Sequence, residues 1–416
     1  MKYGLIGEKL GHSFSVDIHG ALGNHDYVLC PMPPEALVEF MTKRDFLGIN
    51  VTIPYKQTVI PYLDEIDPAA ADIGAVNTVV NREGRLIGYN TDFYGMSRLI
   101  ERIGVTLEGK TVAILGTGGT SKTARAVATH MKAASVVRVS RTPDGEDEIS
   151  YDRLYAMADK VHFIINTTPV GMYPKIEGCP VELDRFTALC GVADAVYNPL
   201  CTKLVLSARE RGIPAEGGLY MLVAQGTRAA AHFFGDNSVT DKTDAVFAEL
   251  YQSKLNVVLS GMPGSGKSTV GKRIAELMGR EFTDTDVVVA QRVGMSLPEH
   301  FALYGEQAFR DLESEAIEDL SVCGGRVIAT GGGGILRAGN VHALHRNGII
   351  VFLDRDIENI TPTEDRPLSR DREALQKRYD ERYPIYCATA DVRVDGNGSV
   401  EQVAEAVIKA ITEKIL

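Results

Sequence analysis

The chain has 416 residues, a formal net charge of −11 and 44% hydrophobic residues, more than one core organises and enough apolar material for several compact units. The acidic balance argues against a nucleic-acid partner, which needs clustered Lys and Arg, and no run approaches the roughly 20 apolar residues of a membrane span. The opening residues do not read as a signal peptide, so a cytoplasmic enzyme acting on small molecules is expected, and the six scattered cysteines read as reduced thiols rather than metal ligands.

In chain order, strand-like runs at Tyr3–Gly7 and Gly48–Ile53 are separated by helical patterns through residues 1–100. The strand Thr111–Leu115 leads into Gly116-Thr117-Gly118-Gly119 and a helix over Ser121–Met131, the order of a dinucleotide-binding turn. Strands follow at Val136–Ser140, Val161–Asn166 and Val192–Asp194, then helices at Leu219–Phe234 and Asp244–Gln252. The apolar run Leu255–Leu259 precedes Gly261-Met262-Pro263-Gly264-Ser265-Gly266-Lys267-Ser268 and a helix over Thr269–Met278, a complete phosphate-binding loop in the context that makes it specific. A strand at Arg326–Thr330 runs into the tetraglycine Gly331–Gly334.

This alternation predicts an α/β chain with parallel sheets covered on both faces. Three segments are expected: a lobe built from residues 1–100 plus 219–252, a Rossmann-type nucleotide lobe at 101–218, and a P-loop domain at 253–416. No Pro/Ser-rich linker, internal repeat or low-complexity tract separates them.

Three short motifs in the first segment carry chemistry together: Asn50–Lys56, Gly74–Thr78 and Gly88–Asp92. Each sets polar side chains at or just past a strand end, where open α/β sheets bind ligands. Lys56 and Asp92 brought together form a proton-relay pair, because desolvation favours the neutral amine while the carboxylate holds the ammonium. Taken singly, each also reads as a surface Lys and a helix-capping Asp.

With His12-Ser13-Phe14-Ser15, these motifs make residues 1–252 resemble the shikimate dehydrogenase family. The resemblance implies that Ser13 and Ser15 hold a substrate carboxylate and that Thr52, Lys56, Asn77, Asp92, Tyr197 and Gln225 surround the substrate ring, with Lys56 and Asp92 catalytic. It also implies NADP(H) contacts from Gly116, Gly118, Gly119, Ser140, Arg141, Thr142, Thr167 and Gly218. The chain departs from the family pattern at Lys9, Val16 and Gly20, which stand for Pro, Pro and Asn, and at Tyr220, which stands for Gly. Cofactor choice follows from charge: the second strand of this lobe ends in Ser140-Arg141-Thr142, and a guanidinium suits a 2′-phosphate where an acid suits a free 2′-hydroxyl. NADP is expected over NAD. The basic residue that the family often carries three positions after the Thr is Gly145 here, followed by Glu146, Asp147 and Glu148, so weaker discrimination against NAD is expected.

In the C-terminal segment, the loop glycines point backbone N–H groups inward as an anion nest, Lys267 reaches the β and γ phosphates, and Ser268 offers a hydroxyl to Mg²⁺. ATP contacts are therefore assigned to Gly261, Gly264, Ser265, Gly266, Lys267, Ser268 and Thr269. Asp284-Thr285-Asp286 supplies one acid for the metal and one for a substrate hydroxyl, though two acids so spaced also read as a solvated turn. With Phe309-Arg310-Asp311-Leu312-Glu313, Arg366-Pro367-Leu368 and Arg382, the segment from Ser253 to Leu416 resembles the shikimate kinase family. The resemblance implies a substrate pocket of Asp286, Arg310, Gly332, Gly333 and Arg382, a magnesium site of Ser268 and Asp284, and a catalytic lid arginine, Arg366, acting with Lys267 on the transferred phosphoryl group. The further lid Arg usual in that family is missing from Glu358–Asp365.

The two resemblances reinforce each other, since the hydroxyl formed by reducing 3-dehydroshikimate is the one a shikimate kinase phosphorylates. Expected ligands are thus 3-dehydroshikimate, shikimate, NADP(H), ATP and Mg²⁺. Two rival readings are a quinate dehydrogenase using NAD and a C-terminal nucleotide sensor without catalysis; the intact Lys267, Asp284, Arg310 and Arg366 speak against the sensor.

Overall fold

The computed structural model describes residues 1–11, 13–360 and 372–415. The chain divides into two compact units, one of Met1–Asn198 and Thr202–Leu250, the other of Pro199–Cys201 and Tyr251–Leu416. None of its described helices is long and apolar enough to cross a membrane.

The first unit holds two sheets. Strands β1 (Tyr3–Gly7), β2 (Tyr27–Pro31), β3 (Gly48–Val51), β4 (Glu65–Ile66), β5 (Thr78–Arg82) and β6 (Arg85–Tyr89) form one, in the order β2-β1-β3-β5-β6-β4. It is mixed rather than wholly parallel: β1 pairs in parallel with β2 and β3, whereas β5 runs antiparallel to β3 and β6. The reversal is the two-residue turn Glu83-Gly84, with φ of 52° and 88°, positive at both positions as a tight hairpin of this twist requires. Helices α1 (Ser15–Ala21), α2 (Pro34–Lys43), α3 (Pro68–Ile73) and α4 (Thr91–Ile103) interleave with these strands. Ile6, Met41, Ile49, Val79 and Leu86 are buried together as the core of this lobe.

The second sheet, β12-β11-β10-β7-β8-β9, is parallel throughout. Its strands are β7 (Thr111–Leu115), β8 (Ser135–Ser140), β9 (Glu148–Ser150), β10 (Phe163–Asn166), β11 (Gly191–Asp194) and β12 (Ala215–Glu216). Helix α5 (Gly119–His130) follows β7, and α6 (Tyr151–Ala156) and α7 (Lys203–Glu210) follow β9 and β11. All four residues of β10 are buried, the continuous burial expected of an interior parallel strand. Next come α8 (Leu219–Phe234) and α9 (Thr243–Lys254). Helix α8 packs on α4, and Phe233 at its far end is buried with Leu5, Tyr27 and Val80 of the first sheet, so the chain returns to the lobe it started from.

The second unit is built on a parallel sheet in the order β14-β15-β13-β16-β17. Its strands are β13 (Asn256–Ser260), β14 (Phe282–Asp284), β15 (Val327–Ala329), β16 (Gly348–Asp354) and β17 (Val392–Asp395). Around it lie α10 (Lys267–Met278), α11 (Thr285–Val293), α12 (Leu297–Ser321), α13 (Ala338–Asn347), α14 (Arg372–Thr389) and α15 (Val400–Ile415). Central β13 is buried along its length, and Val258, Ile328, Ile350, Phe352 and Tyr386 form the core beside it. The phosphate-loop motif therefore emerges from the carboxyl end of the middle strand, where ligands bind in open sheets.

Candidate active sites

In the first unit, the residues singled out by sequence converge on one cavity. Asn90 caps α4 by accepting from the Phe93 N–H, which puts Asp92 in the first turn, where the helix dipole favours a negative charge. Lys56 Nζ donates to Asp92 Oδ2 at 2.5 Å, with the two side chains 22% and 12% exposed. The other carboxylate oxygen accepts from Asn77 Nδ2 at 2.9 Å, and the Asn77 amide oxygen in turn accepts the Thr91 N–H at 2.7 Å. Both Asp92 oxygens are thus occupied, and the carboxylate cannot turn without breaking a charge-assisted bond. Ser13 Oγ donates to Ser15 Oγ at 3.0 Å.

A cavity of about 350 Å³ is lined by Ser13, Ser15, Thr52, Lys56, Asn77, Asp92, Tyr197 and Gln225, all eight of the residues expected around the substrate. Gly218 lines it as well, and Thr120 from α5 and Ala195 beyond β11 bring in the parallel sheet. The cavity therefore opens where that sheet's strands end. Asn50, which sequence reasoning did not assign, also lines it. Its Oδ1 accepts from Tyr27 at 2.7 Å and its Nδ2 donates to Thr78 at 3.0 Å. Behind it His19 stacks on Tyr27 at 3.8 Å between ring centres, and full burial pushes that imidazole down to about 3, so it is neutral and structural.

The dinucleotide turn has the shape that its sequence demands. Gly116 sits at φ 102°, and a side chain there would meet Thr167 and Thr168 at 3.0 Å, while a Cβ on Gly118 or Gly119 meets nothing within 4 Å. That open cradle over the start of α5 fits a pyrophosphate, which the helix N-terminus would stabilise. Thr167 Oγ1 is tied to the Leu115 carbonyl at 2.7 Å. Ser140 Oγ accepts from the Thr142 N–H at 3.2 Å, and Arg141 between them is exposed, with no hydrogen bond or ion pair to any described residue. In the acidic run behind it, Asp147 is held by Arg138 through two bonds of 2.9 and 2.7 Å and by Arg125 at 3.3 Å, and Glu148 lies 3.2 Å from Arg138. Two of the three acids there are already neutralised.

Buried Asp194, at the end of β11, is a second residue that sequence reading passed over. It accepts from Thr202 Oγ1 at 2.6 Å, Asn166 Nδ2 at 2.9 Å and the Val196 N–H at 3.0 Å. It thereby ties the loops after β10 and β11 that carry Thr167 and Tyr197. Burial pushes its carboxyl up to about 6 against the three bonds that favour the anion.

In the second unit a cavity of about 820 Å³ is lined by Gly264, Gly266, Lys267, Ser268 and Thr269 of the phosphate loop together with Asp284, Asp286, Arg310, Gly332, Gly333 and Arg382. Gly261 and Ser265 belong to the loop but not to the lining. Lys267 Nζ donates to the Gly261 and Met262 carbonyls, both at 2.9 Å. Ser268 Oγ donates to Asp284 Oδ2 at 2.5 Å, so the two oxygens are close enough to share one cation. They fit a magnesium ion, which keeps water and phosphate oxygens among its ligands and needs few from protein. Arg366 lies outside the described residues.

Asp286 is pushed up to about 6, first by burial and then by the neighbouring Asp284 and Glu313 carboxylates. Glu313 is fully buried, with one oxygen held by Arg310 Nη1 at 2.6 Å and the other without a hydrogen-bond partner among the described residues. Arg310 is further fixed by Glu306 at 3.1 Å. The tetraglycine is forced by this crowding: a Cβ on Gly331 would collide with the Asp286 and Glu313 carboxylates, and one on Gly333 would strike the Arg310 guanidinium. Arg382 Nη1 donates to the Gly332 carbonyl at 2.9 Å. Glu313 and Arg378, both lining the cavity, were not assigned from sequence; the Arg-Asp-Leu-Glu spacing, which puts Glu313 one turn from Arg310, was the available signal.

Comparison with known proteins bears on both cavities. The family model for shikimate kinase matches residues 263–412, and that for the shikimate dehydrogenase substrate binding domain matches residues 5–79. A relative from Symbiobacterium thermophilum, shikimate dehydrogenase (NADP(+)), is 38% identical over 269 residues, covering 57% of this chain and 90% of its own. Among solved structures, a chorismate mutase/shikimate 5-dehydrogenase fusion protein from Clostridium acetobutylicum is 36% identical with a TM-score of 0.56, covering 60% of this chain and 96% of its own. Shikimate 5-dehydrogenase from Thermus thermophilus, solved with NADP(H) and shikimate, is 28% identical with a TM-score of 0.52, covering 58% of this chain and 98% of its own.

Proposed function

The chain belongs to the shikimate dehydrogenase family and carries a shikimate kinase domain behind it, and from that premise we propose that it performs two consecutive reactions, the NADPH-dependent reduction of 3-dehydroshikimate to shikimate and the MgATP-dependent phosphorylation of shikimate at the new hydroxyl. We assign residues 1–100 plus 219–252 to the substrate lobe of the dehydrogenase, 101–218 to its NADP lobe, and 253–416 to the kinase. The observation that carries the first activity is the Lys56–Asp92 pair inside a cavity that the nucleotide-binding sheet also lines.

When bound, NADPH supplies the hydride and MgATP the phosphoryl group. Lys56 then gives its proton to the carbonyl oxygen at C3 as charge develops there, and Asp92, clamped by Asn77, keeps the ammonium aimed. Ser13 and Ser15 hold the carboxylate, with Thr52, Tyr197 and Gln225 around the ring. Arg141 reads the 2′-phosphate, and Ser140, Thr142, Thr167 and Gly218 line the rest of the nucleotide path. In the kinase, Arg310 and Arg382 hold the carboxylate. Asp286 accepts the proton of the attacking hydroxyl; at neutral pH it is ionised yet basic enough to do so. Ser268 and Asp284 hold the magnesium, and Lys267 with Arg366 offsets charge on the transferred group.

The test is a coupled assay on the full chain. From 3-dehydroshikimate with NADPH and ATP, NADPH oxidation and ADP release should both appear, with shikimate 3-phosphate as product. ADP release without NADPH oxidation, or the reverse, would overturn the bifunctional reading.

A further inference from the structure

The dehydrogenase cavity holds an ammonium that the reaction just described does not use. Lys9 lies in the loop after β1 and lines the cavity alongside Gly11, Ser13 and Ser15. The charged side chains in that lining are Lys9, Lys56 and Asp92. Lys56 and Asp92 neutralise each other at 2.5 Å, which leaves Lys9 as the net charge of the wall. Lys9 makes no hydrogen bond or ion pair with any described residue, and its neighbours Ser13 and Ser15 are hydrogen-bonded to each other.

Two hydroxyls are neutral donors. They can orient a carboxylate, but they do not balance its charge, and an anion entering a half-closed cavity loses part of its hydration. A cation in the same lining as the two serines offsets that loss. We infer that Lys9 is a substrate-binding residue of the dehydrogenase site, its ammonium serving as counter-ion to the carboxylate that Ser13 and Ser15 orient. This rests on the reading of the cavity as the dehydrogenase site. Lys9 is exposed, so the ammonium stays partly hydrated, acts on ground state and transition state alike, and changes KM rather than kcat.

The test uses Lys9→Met and Lys9→Arg in the full chain, with two probes, shikimate and its uncharged methyl ester, oxidised with NADP⁺. Lys9→Met should raise the KM for shikimate roughly two- to fivefold at low salt and leave kcat within about twofold. Lys9→Arg should restore the parent KM, and the ester should be turned over alike by parent and Lys9→Met. Added salt should raise the shikimate KM of the parent more than that of Lys9→Met. Kinase turnover of the same preparations reports that the chain is folded. An unchanged shikimate KM in Lys9→Met, or equal losses on acid and ester, overturns the inference while leaving the site reading intact. A parent that does not oxidise shikimate with NADP⁺ overturns both.

Discussion

Replacing Lys56 by Met tests the dehydrogenase assignment most directly, because Met keeps the length of the stem and removes only the ammonium. The structure sets what is lost and what remains. Lys56 gives up a 2.5 Å contact with Asp92, while Asp92 keeps its 2.9 Å bond from Asn77 and its place in the first turn of α4. The fold should therefore survive, with a stability loss of about 1–3 kcal/mol for a half-paired acid that is mostly shielded from water. Removing a general acid costs on the order of 10² to 10⁴ in kcat, or about 2.7–5.5 kcal/mol of barrier, whereas a lost binding contact would appear in KM. Steady-state reduction of 3-dehydroshikimate should show that fall in kcat, and kinase turnover by the same polypeptide should stay within about threefold of the parent. If kcat for reduction keeps more than about a tenth of its value, Lys56 is not the acid. If both activities vanish in a protein that still unfolds in a cooperative thermal transition, the two cavities are not independent sites.

Arg141→Ala should lower kcat/KM for NADPH by roughly tenfold to a hundredfold and for NADH by no more than about threefold; equal losses would mean that Arg141 does not read the phosphate. Asp286, held up near 6 by burial and two acidic neighbours, should make kinase kcat fall as pH drops through 6, and a profile flat to pH 5 would remove it as the base. Because its folded value is raised above the ordinary 3.8, this group favours the fold below about pH 4, and that contribution disappears as pH rises to about 6; Asp286→Asn should flatten this part of the stability profile. Arg310→Ala should raise the KM for shikimate at least tenfold and, by leaving fully buried Glu313 unpaired, cost about 3 kcal/mol in stability. Arg366→Ala should instead lower kcat with little change in that KM, and the opposite pattern would move Arg366 into the acid pocket.

The two phosphate-binding turns were legible because their information is local: glycines at fixed spacing between a strand and a helix dictate an open N-terminus whatever surrounds them. The polar motifs of the first lobe were legible as types, but only Asp92 lies just past a strand end: Asn50 sits within β3 and Asn77 immediately before β5. What one strand's spacing does not encode is its neighbour's direction. The hairpin joining β5 and β6 turns on Glu83-Gly84, without the Asn-Gly that would announce it, so its antiparallel pairing passed unread. The buried acids were hidden for a different reason. Glu313 sits in an Arg-Asp-Leu-Glu run that reads as a solvated helix face, yet it is buried against Gly331 of the tetraglycine and the Arg310 guanidinium. Asp194 closes an apolar strand, and its three donors come from the end of β10, the loop after β11 and the N-cap of α7. Helix ends shifted by a residue or two: α5 starts at Gly119 rather than Ser121, because the free N–H groups of the turn, not side-chain propensity, set where the helix begins.

The two cavities would recognise the same carboxylate by different means, and their other charges explain why. In the dehydrogenase the catalytic ions cancel as a Lys–Asp pair, so hydroxyls and a single exposed ammonium are enough to hold one negative charge. In the kinase the acid must bind within reach of a polyphosphate and beside Asp284, Asp286 and Glu313. An exposed ammonium would be drawn to the phosphates, and a hydroxyl would offer no charge against three carboxylates. A guanidinium fork locked by Glu306 and Glu313, as Arg310 is, keeps its remaining donors aimed at one place whatever the nucleotide state. Weakening that lock should therefore matter only to the kinase: Glu313→Gln ought to raise its KM for shikimate while leaving the dehydrogenase KM for the same compound untouched. A parallel rise in both constants would show that Glu313 supports the chain as a whole rather than the aim of Arg310.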